Sequence, residues 1–463
     1  MSASVYAHFI GVGGAGMSAL ARVLHERGVA VTGSDLKESR YTTALREMGV
    51  PVAIGHDAAN LGAPEVAVVS TAIPETNPEL VEARQRGIDV WPRARMLAHL
   101  AEERTTIAVA GTHGKTTTSS MVATMLAGMG LDPTFLIGGE VCAYGTNAAC
   151  GTGSHYVVEA DESDGSFVYL DPHVSVVTNI EADHLDHYGT LEAVEATFER
   201  FVAKTAAGGA AVVCAEDARA IEILARTGVP TVTYGRIAEA DVRCASLTST
   251  GRGHRFTVAF PDGTIVETGV EVPGEHNVLN ATAALAVAHV LGIDVVAAGA
   301  ALAGFAGVKR RFDVIGMSGG VTVVDDYAHH PTEVKATLAA ARALDYERVW
   351  AVFQPHRYSR TEALGDEFGR SFDDAHGVVL MDVYSAGETP IPGVSGKTLV
   401  DAMLVHNGRR KVAYLPHRPE VVPYLASNVR EGDLVLTLGA GDVTALAPEI
   451  LDALDEAGGR RCP

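Results

Sequence analysis

A glycine-containing loop followed by a lysine and three threonines is the part of this sequence best suited to chemistry. The stretch reads VAGTHGKTTT, ends at Thr118 and follows the apolar run TIAVAG. The next segment is predicted to form an amphipathic helix, because Met121, Val122, Met125, Leu126 and Met129 recur at helical spacing. Such a loop presents backbone N–H groups and a helix N-terminus to phosphate, while a lysine adds charge and a threonine hydroxyl can reach Mg²⁺. The strict phosphate-loop pattern has glycine where this chain has Val109, so a glycine turn with a surface lysine is the alternative.

Two acidic clusters follow the loop, each at the end of an apolar run. The first lies in HYVVEADESDGSF and the second in VVTNIEADHLDHYG. Their titratable residues are Glu159, Asp161, Glu162 and Asp164 in the first, and Glu181, Asp183, His184 and Asp186 in the second. A solvated acidic loop explains either cluster alone. Two such clusters after a phosphate loop favour a binding site for oxygen-preferring cations that bridge nucleotide phosphates.

A third group of polar residues could bind a small carboxylate. In FQPHRYSRT, a helix beginning at Pro355 would place Arg357 and Arg360 three residues apart on one face, where they can share a carboxylate. An exposed basic helix start is the alternative. The segment DDYAHH, at another predicted strand end, supplies two further histidines.

A second glycine cluster near the N-terminus satisfies GxGxxG after a predicted strand. It runs from Gly11 to Gly16, and Asp35 follows at about the distance at which a dehydrogenase binds ribose. An NAD site is therefore a competing interpretation of the first hundred residues. The glycines by themselves indicate only that an anion or another backbone comes close.

Length and composition narrow the class of protein. With 463 residues the chain is long enough for about three domains. Its net charge of -21 argues against a nucleic-acid or anionic membrane surface. The five scattered cysteines indicate a reducing compartment, and neither a leader segment nor a membrane-spanning apolar run is apparent. We expect a cytoplasmic protein.

Short Val- and Ile-rich runs alternate with helical patterns along the whole chain, which predicts α/β folding with parallel sheets. The runs include HFIGVGG, VAVTGSD, EVAVVSTAI, TTIAVAG, VSVVTNI, AAVVCAED, VTVVDDYAHH, VWAVFQPHR, GVVLMDVYSAGE and DLVLTLGAGDV. Most end in polar or glycine residues, where a parallel sheet binds ligands. The segments AEERTT and FAGVKRR are the predicted hinges.

Taken in order, the motifs GTHGKTTT, EADESDGSF, NIEADHLD, GEHNVLNATAA, KRRFD, DDYAHHPTE and FQPHRYSRT resemble those of the Mur ligases. The resemblance covers nearly the whole chain and is closest to the members that add L-alanine to UDP-N-acetylmuramate in peptidoglycan precursor synthesis. It implies a Rossmann-like UDP-sugar domain (1–102), a central P-loop ATPase domain (103–307) and a Rossmann-like amino-acid domain (308–463). It also implies ATP and two Mg²⁺ ions, for which Mn²⁺ can substitute.

The resemblance also assigns residues. It implies catalytic roles for Lys115, His184 and Arg311, and it implies that Thr116 and Glu159 ligate one Mg²⁺ and His184 a second. The ATP-binding residues would be Gly111, Thr112, His113, Gly114, Lys115, Thr116, Thr117, Asn280 (adenine), Arg311 (γ-phosphate) and Asp326 (ribose). The UDP-sugar residues would be Gly11, Gly13, Gly14, Gly16, Asp35, Ser70, Thr71 and Ala72. The alanine pocket would comprise Tyr327, His329, His356, Arg357 and Arg360.

One departure and three alternatives accompany the resemblance. Sister ligases carry a carbamylated lysine after the His184 motif, whereas TLEAVEATFERF has Glu192, Glu195 and Glu199 and no lysine, which leaves the second metal's other ligands open. The competing functions are an NAD-dependent oxidoreductase, a ligase that attaches a preformed tripeptide to the same sugar nucleotide, and a non-enzymatic P-loop scaffold. We expect a monomer or weak homodimer that binds neither nucleic acid nor membrane.

Overall fold

The computed structural model describes residues 6–102 and 104–459. Strands and helices alternate along these residues and form three sheets. The chain divides into two compact units. The first comprises Met1–Ser246, Phe256–Thr268 and Leu279–Phe305, and the second comprises Leu247–Arg255, Gly269–Val278 and Ala306–Pro463. One cut falls within the segment FAGVKRR. The predicted boundaries of the three domains, and motion at either predicted hinge, stay predictions.

The first sheet is parallel throughout, with strand order β3-β2-β1-β4-β5. Its strands are β1 (Ala7–Ile10), β2 (Val31–Asp35), β3 (Val52–Ile54), β4 (Val66–Val69) and β5 (Asp89–Pro92). The connecting helices are α1 (Ala15–Glu26), α2 (Arg40–Glu47), α3 (Pro78–Gln85) and α4 (Arg93–Ala101), with a 3₁₀ turn at Ala58–Leu61. The strand order reverses beside β1, so the first glycine cluster lies where such sheets bind ligands.

The central sheet has the order β15-β14-β13-β12-β11-β10-β6-β9-β7-β8. Its strands are β6 (Thr105–Ala110), β7 (Thr134–Val141), β8 (Thr146–Ala149), β9 (His155–Glu159), β10 (Val174–Val177), β11 (Ala210–Cys214), β12 (Thr231–Gly235), β13 (Val242–Ser249), β14 (His254–Ala259) and β15 (Ile265–Val270). The helices are α5 (Lys115–Gly128), α6 (Leu185–Tyr188), α7 (Leu191–Ala203), α8 (Ala218–Thr227), α9 (Glu275–Val290) and α10 (Val295–Leu302), with a 3₁₀ turn at Ser166–Tyr169. Strand β6, which precedes the phosphate loop, lies between β9 and β10.

Helix α5 differs from the prediction of an amphipathic helix. Met121, Val122, Met125 and Leu126 are buried as expected, but every residue from Thr116 to Leu126 is buried as well. The cause is packing on more than one side, because α5 contacts β6, β7 and β9 and also α10, against which Gly128 lies closely. Ser119 and Ser120 are accommodated by donating to carbonyl oxygens of the preceding turn, and Thr116 and Thr118 by donating to Glu159 and Asn280.

The third sheet has the order β16-β17-β21-β18-β19-β20, with β16 antiparallel and the other pairs parallel. Its strands are β16 (Asp313–Ser318), β17 (Val321–Asp326), β18 (Arg348–Phe353), β19 (Gly377–Leu380), β20 (Val412–Tyr414) and β21 (Asp433–Leu438). The helices are α11 (Pro331–Arg342), α12 (Tyr358–Ala363), α13 (Gly365–Gly369), α14 (Gly396–His406), α15 (Arg418–Asn428) and α16 (Leu446–Gly459), with a 3₁₀ turn at Asp442–Ala445. Two separate apolar clusters draw residues from these strands.

The cysteines and the membrane prediction can be compared with the described residues. Cys142, Cys150, Cys214 and Cys244 are free thiols, and Cys462 lies outside the described residues. Across residues 6–102 and 104–459, no helix has both the length and the apolar character that a membrane span needs.

Candidate active site

The phosphate loop connects β6 to α5 through two glycines that no other residue could replace without strain. Gly111 has φ 136° and Gly114 has φ 80°. A Cβ atom on Gly111 would lie 2.0 Å from Thr178 Oγ1, and one on Gly114 would lie 2.7 Å from Asn280 Oδ1. The loop therefore needs glycine for both conformation and space. Because α5 begins at Lys115, the positive end of its dipole lies directly after the loop.

The residues after β10 hold this loop in place. The Thr112 N–H donates to the carbonyl oxygen of Asn179 at 3.0 Å, and the His113 N–H donates to the Asn179 side-chain oxygen at 2.8 Å. The Asn179 amide donates in return to the His113 carbonyl at 3.1 Å, and the Glu181 N–H donates to Thr112 Oγ1 at 2.8 Å. Asn179 was not among the residues predicted from the sequence. An amide side chain directly after a buried strand was the available signal.

Lys115 lies at the centre of the loop and the first acidic cluster. Its Nζ donates to the carbonyl oxygens of Gly111 (2.6 Å) and Thr112 (3.1 Å) and to Glu162 Oε1 (2.9 Å). Burial lowers the pKa of Lys115, but the charges of Glu162, Asp161 and Glu159 outweigh it and raise the pKa above its ordinary value. The lysine thus stays charged where a phosphate would bind.

Thr116 and Glu159 form the pair expected of a magnesium site. Thr116 Oγ1 donates to Glu159 Oε1 at 3.0 Å, and Glu159 Oε2 accepts from the Gly138 N–H at 2.6 Å. Neighbouring ligands in an octahedral Mg²⁺ shell with bonds of about 2.1 Å lie roughly 3 Å apart. The hydroxyl and carboxylate oxygens therefore fit one Mg²⁺ in both chemistry and spacing.

The two acidic clusters meet at Glu162. His184 Nε2 lies 3.9 Å from Glu162 Oε1 and 3.6 Å from Asp183 Oδ2. Burial raises the pKa of Glu162 to about 7 against the opposing charge of Lys115, and Asp161 adds to the rise. The other carboxylate oxygen of Glu162 is buried without a hydrogen-bond partner. The Asp186 side chain lies outside the described residues.

The predicted adenine residue lies against the phosphate loop. Asn280 is on α9, and its Oδ1 lies 3.2 Å from Thr118 Oγ1 and close to Gly114. Thr117, another predicted ATP residue, is buried in the first turn of α5. Asn280 therefore packs directly against the phosphate loop. Contact with adenine stays a prediction.

The first glycine cluster forms a turn after β1 that is fixed by β2. Gly11 N–H donates to the Ser34 carbonyl at 2.8 Å, and Gly13 N–H donates to Asp35 Oδ2 at 2.8 Å. Asp35 therefore holds the loop itself. Gly14 is the N-cap of α1, which has no side-chain cap.

Two cavities adjoin this turn. Ser70 and Thr71 line a cavity of about 930 Å³, and Ala72 is exposed in the same turn. Gly16 and Glu159 line a second cavity of about 220 Å³. Within the first compact unit, the second cavity thus joins the N-terminal glycine turn to the acidic residue beside the phosphate loop.

In the second unit, the end of β17 gathers Asp326, Arg311 and Tyr327. Asp326 accepts hydrogen bonds from the N–H groups of Ala328 (2.8 Å) and Phe312 (2.7 Å). Burial raises the pKa of Asp326 to about 6 against the opposing charge of Arg311. The Arg311 guanidinium lies over the Tyr327 ring, 5.2 Å from its centroid, and Nη1 is 3.9 Å from Glu333.

A series of rings joins the two predicted halves of the alanine pocket. Ring centroids lie 5.2 Å apart for Tyr327 and His329, 5.8 Å for His329 and His356, and 5.7 Å for His356 and Tyr384. The structure therefore brings DDYAHH and FQPHR together, as predicted. Tyr384, which was not predicted from the sequence, follows β19, the neighbour of β18.

The prediction that Pro355 begins a helix is wrong. Helix α12 begins at Tyr358, and Arg357 is its N-cap with φ 73°. The Tyr384 loop overrides the proline signal, because the Arg357 N–H donates to the Tyr384 carbonyl and Tyr384 N–H to the Pro355 carbonyl, both at 2.8 Å. Arg360 is buried, whereas Arg357 is half-buried and lies 3.6 Å from Glu388.

Comparison with known proteins is consistent over the whole chain. Three domain families match in order: "Mur ligase family, catalytic domain" over residues 6–105, "Mur ligase middle domain" over 109–288 and "Mur ligase, glutamate ligase domain" over 310–441. The UDP-N-acetylmuramate--L-alanine ligase of Pelotomaculum thermopropionicum is 48% identical over 452 residues, which are 97% of this chain and 98% of that protein.

Solved structures agree with these matches. The UDP-N-acetylmuramate-alanine ligase of Thermotoga maritima has a TM-score of 0.80 and 30% identity, covering 98% of this chain and 100% of its own. A murein peptide ligase of Psychrobacter arcticus has a TM-score of 0.73 and 27% identity, covering 97% and 99%. With its three α/β domains in this order, the chain belongs to the Mur ligase family.

Proposed function

We propose that this protein is an ATP-dependent ligase that joins L-alanine to the lactyl carboxylate of UDP-N-acetylmuramate in peptidoglycan precursor synthesis. The observation that carries the proposal is the convergence of Lys115 and the Thr116–Glu159 pair at the phosphate loop. The 48% identity to an alanine-adding ligase supports the choice of amino acid. The substrates are cytoplasmic metabolites, so we place the reaction in the cytoplasm. A monomer or weak homodimer remains our expectation.

A carboxylate and an amine do not condense in water, because the carboxylate is a poor electrophile and hydroxide a poor leaving group. Phosphorylation removes both obstacles. A carboxylate oxygen attacks the γ-phosphorus, the bond to ADP breaks, and an acyl phosphate forms. The alanine amine then attacks the acyl carbon, phosphate leaves, and the nitrogen loses a proton as the amide forms.

Charge repulsion between carboxylate and triphosphate is the main obstacle to the first step. We assign Lys115 to the phosphates in place of its bond to Glu162, and Arg311 to the γ-phosphate. Thr116 and Glu159 would hold Mg²⁺, and His184 beside Glu162 would hold a second ion. When bound, these ions supply further positive charge to the phosphates. We assign Asn280 to adenine and Asp326 to ribose.

The amino acid must be held by its carboxylate, so that its amine remains free to attack. We assign this role to Arg360 and Arg357, with His356, His329 and Tyr327 forming the walls. Charge-assisted bonds from a guanidinium suit a carboxylate in a partly buried pocket. The UDP-sugar is assigned to the glycine turn of Gly11, Gly13, Gly14 and Gly16, with Asp35, Ser70, Thr71 and Ala72 nearby.

The decisive experiment measures phosphate release by the purified protein with UDP-N-acetylmuramate, ATP and Mg²⁺. Each of alanine, glycine, serine and the preformed tripeptide is added in turn. We expect release that depends on the sugar nucleotide and is fastest with L-alanine. Release driven by the tripeptide instead would identify the wall-recycling type of ligase, and no release with any acceptor would overturn the proposal.

A further inference from the structure

Arg93 lies beside the N-terminal glycine turn and has no role in the function proposed above. It is the first residue of α4, directly after the edge strand β5. A Cβ atom on Gly16 would lie 3.0 Å from Arg93 Nη1, so the guanidinium lies directly against the glycine turn. The turn thus has a full positive charge beside it, although none of its own residues is basic.

Two cavities of the first unit include Arg93 in their walls. The larger, of about 930 Å³, is lined also by Ser70 and Thr71, and the smaller, of about 220 Å³, by Gly16 and Glu159. Among the described residues that line the smaller cavity, Arg93 is the sole basic side chain. The other charged side chains in its wall are the carboxylates of Glu159 and Asp161, which would repel an anionic ligand.

The guanidinium retains hydrogen-bonding capacity. Its ion pair in the described chain is with Asp164, at 3.9 Å, which is longer than a hydrogen bond, and the Arg93 side chain is 28% exposed. The other arginines lining the larger cavity are already engaged, since Arg84 pairs with Glu75 and Arg200 donates to Thr197 at 3.2 Å. An arginine offers five donors in a planar fork, which suits paired phosphate oxygens.

We propose that Arg93 binds the diphosphate of the sugar nucleotide, with the forked guanidinium and the adjacent first turn of α1 at Gly16 facing it side by side. The smaller cavity, which reaches Glu159, then receives the sugar end that must approach the phosphate loop. Arg93 is a binding residue that fixes the position of the reacting acid. The inference rests on the proposed function, because it takes a UDP-sugar as the ligand.

The test compares UDP with uridine, which differ in the diphosphate alone. Binding to the full-length protein is measured by calorimetry without ATP, for the wild type, Arg93→Gln and Arg93→Lys. We expect Arg93→Gln to weaken UDP binding at least tenfold and to leave uridine binding unchanged. Arg93→Lys keeps the positive charge but loses the forked guanidinium, so its affinity for UDP should lie between those of the wild type and Arg93→Gln. Equal losses for UDP and uridine, or an unchanged UDP affinity, would overturn the inference.

Arg84→Gln is the matched control, because Arg84 lines the same larger cavity but is exposed and paired with Glu75. It should change UDP affinity less than threefold; a loss equal to that of Arg93→Gln would indicate a general charge effect and reject the inference. Thermal unfolding checks the fold. If Arg93→Gln is unfolded, the KM values of Arg93→Lys decide: the KM for UDP-N-acetylmuramate should rise while that for ATP stays constant. A wild type that cannot bind UDP-N-acetylmuramate would instead refute the proposed function.

Discussion

The two glycine turns of the first compact unit share a local plan and differ in what surrounds them. Each follows a parallel strand and leads into a helix, β1 into α1 and β6 into α5. The first turn carries no lysine, and its Asp35 bonds to the turn itself. The second carries Lys115 and lies between two acidic clusters. Under the proposed function, the same strand–turn–helix unit would serve for binding in one place and for chemistry in the other.

A buried glutamate near each turn sharpens the difference. Near the first turn, Glu79 is fully buried. Its carboxylate is hydrogen-bonded to His8 Nε2 at 2.7 Å, Ser34 Oγ at 2.6 Å and His56 Nδ1 at 2.9 Å. Burial alone would raise the pKa of Glu79, but these hydrogen bonds and the charge of His8 lower it to about 2. Glu162 beside the phosphate loop instead has a raised pKa and a buried oxygen without a partner. Satisfied polar groups stabilise a scaffold, whereas unsatisfied ones are expected at functional sites.

The largest expected effect comes from Lys115→Met. Removing the ammonium should reduce alanine-dependent phosphate release at least about 10³-fold, or about 4 kcal/mol, because the transition-state charge loses its main cation. Steady-state kinetics with saturating Mg²⁺ measures this loss. Turnover within tenfold of the wild type would show that the second turn does no more chemistry than the first.

A double variant separates catalysis from folding. Lys115→Met leaves Glu162 without its ion-pair partner, so the single variant should also unfold at a lower temperature. Loss of Lys115 raises the pKa of Glu162 further, so its orphaned charge is present only at alkaline pH. Adding Glu162→Gln removes that charge and should restore much of the melting temperature measured at alkaline pH, while activity stays lost. Recovery of activity in the double variant would contradict the role of Lys115.

Gly111→Ala tests the packing of the second turn. Gly111 has φ 136°, and an added Cβ atom would lie 2.0 Å from Thr178 Oγ1. The clash would force the loop away from β10. We expect ATP affinity to fall at least tenfold, with a stability loss of about 1–3 kcal/mol. Nucleotide titration and thermal unfolding give the two values. Normal ATP binding would mean that the loop geometry is not needed for the nucleotide.

Glu79→Gln tests the scaffold beneath the first turn. The folded-state pKa of about 2 lies below the ordinary glutamate value of 4.5. The charge therefore stabilises the fold above about pH 4.5, and this stability is lost as the pH falls toward 2. At pH 7 the variant should be less stable by about 2–4 kcal/mol. Urea unfolding followed by Trp91 fluorescence, in a Trp350→Phe background, reports on this region. An equal deficit at pH 7 and pH 3 would contradict the linkage.

Gly14→Ala should have the smallest effect on the fold and provides the counterpart to Gly111→Ala. Gly14 has φ -74°, and an added Cβ would have the Gly11 carbonyl as its nearest neighbour at 3.7 Å. Stability should change by less than about 0.5 kcal/mol. Since Gly14 is exposed on the turn, we expect the KM for UDP-N-acetylmuramate to rise a few-fold while the KM for ATP is unchanged. A larger rise in the KM for ATP would reverse the assignment of the two turns.

Much of the fold and part of the site could be predicted from local pattern. Apolar runs ending in polar residues located the strands, and the resemblance to the Mur ligases paired Glu159, at the end of β9, with Thr116 beside Lys115. The amphipathic character of α5 and the helix start at Pro355 were wrong, because tertiary contacts with α10 and with the Tyr384 loop decided both. Asn179 and Tyr384 could not be predicted from local pattern, because their hydrogen-bond partners follow other strands.

The sequence by itself determined the residue types, the alternation of strands and helices, and the turns that only glycine can form, because these depend on neighbours along the chain. The tertiary structure alone decided which side chains meet. The order β10-β6-β9 brings both acidic clusters to Lys115, and the packing of α4 brings Arg93 to Gly16. Those contacts join residues far apart in sequence, and their energies depend on distance and burial, which no local pattern encodes.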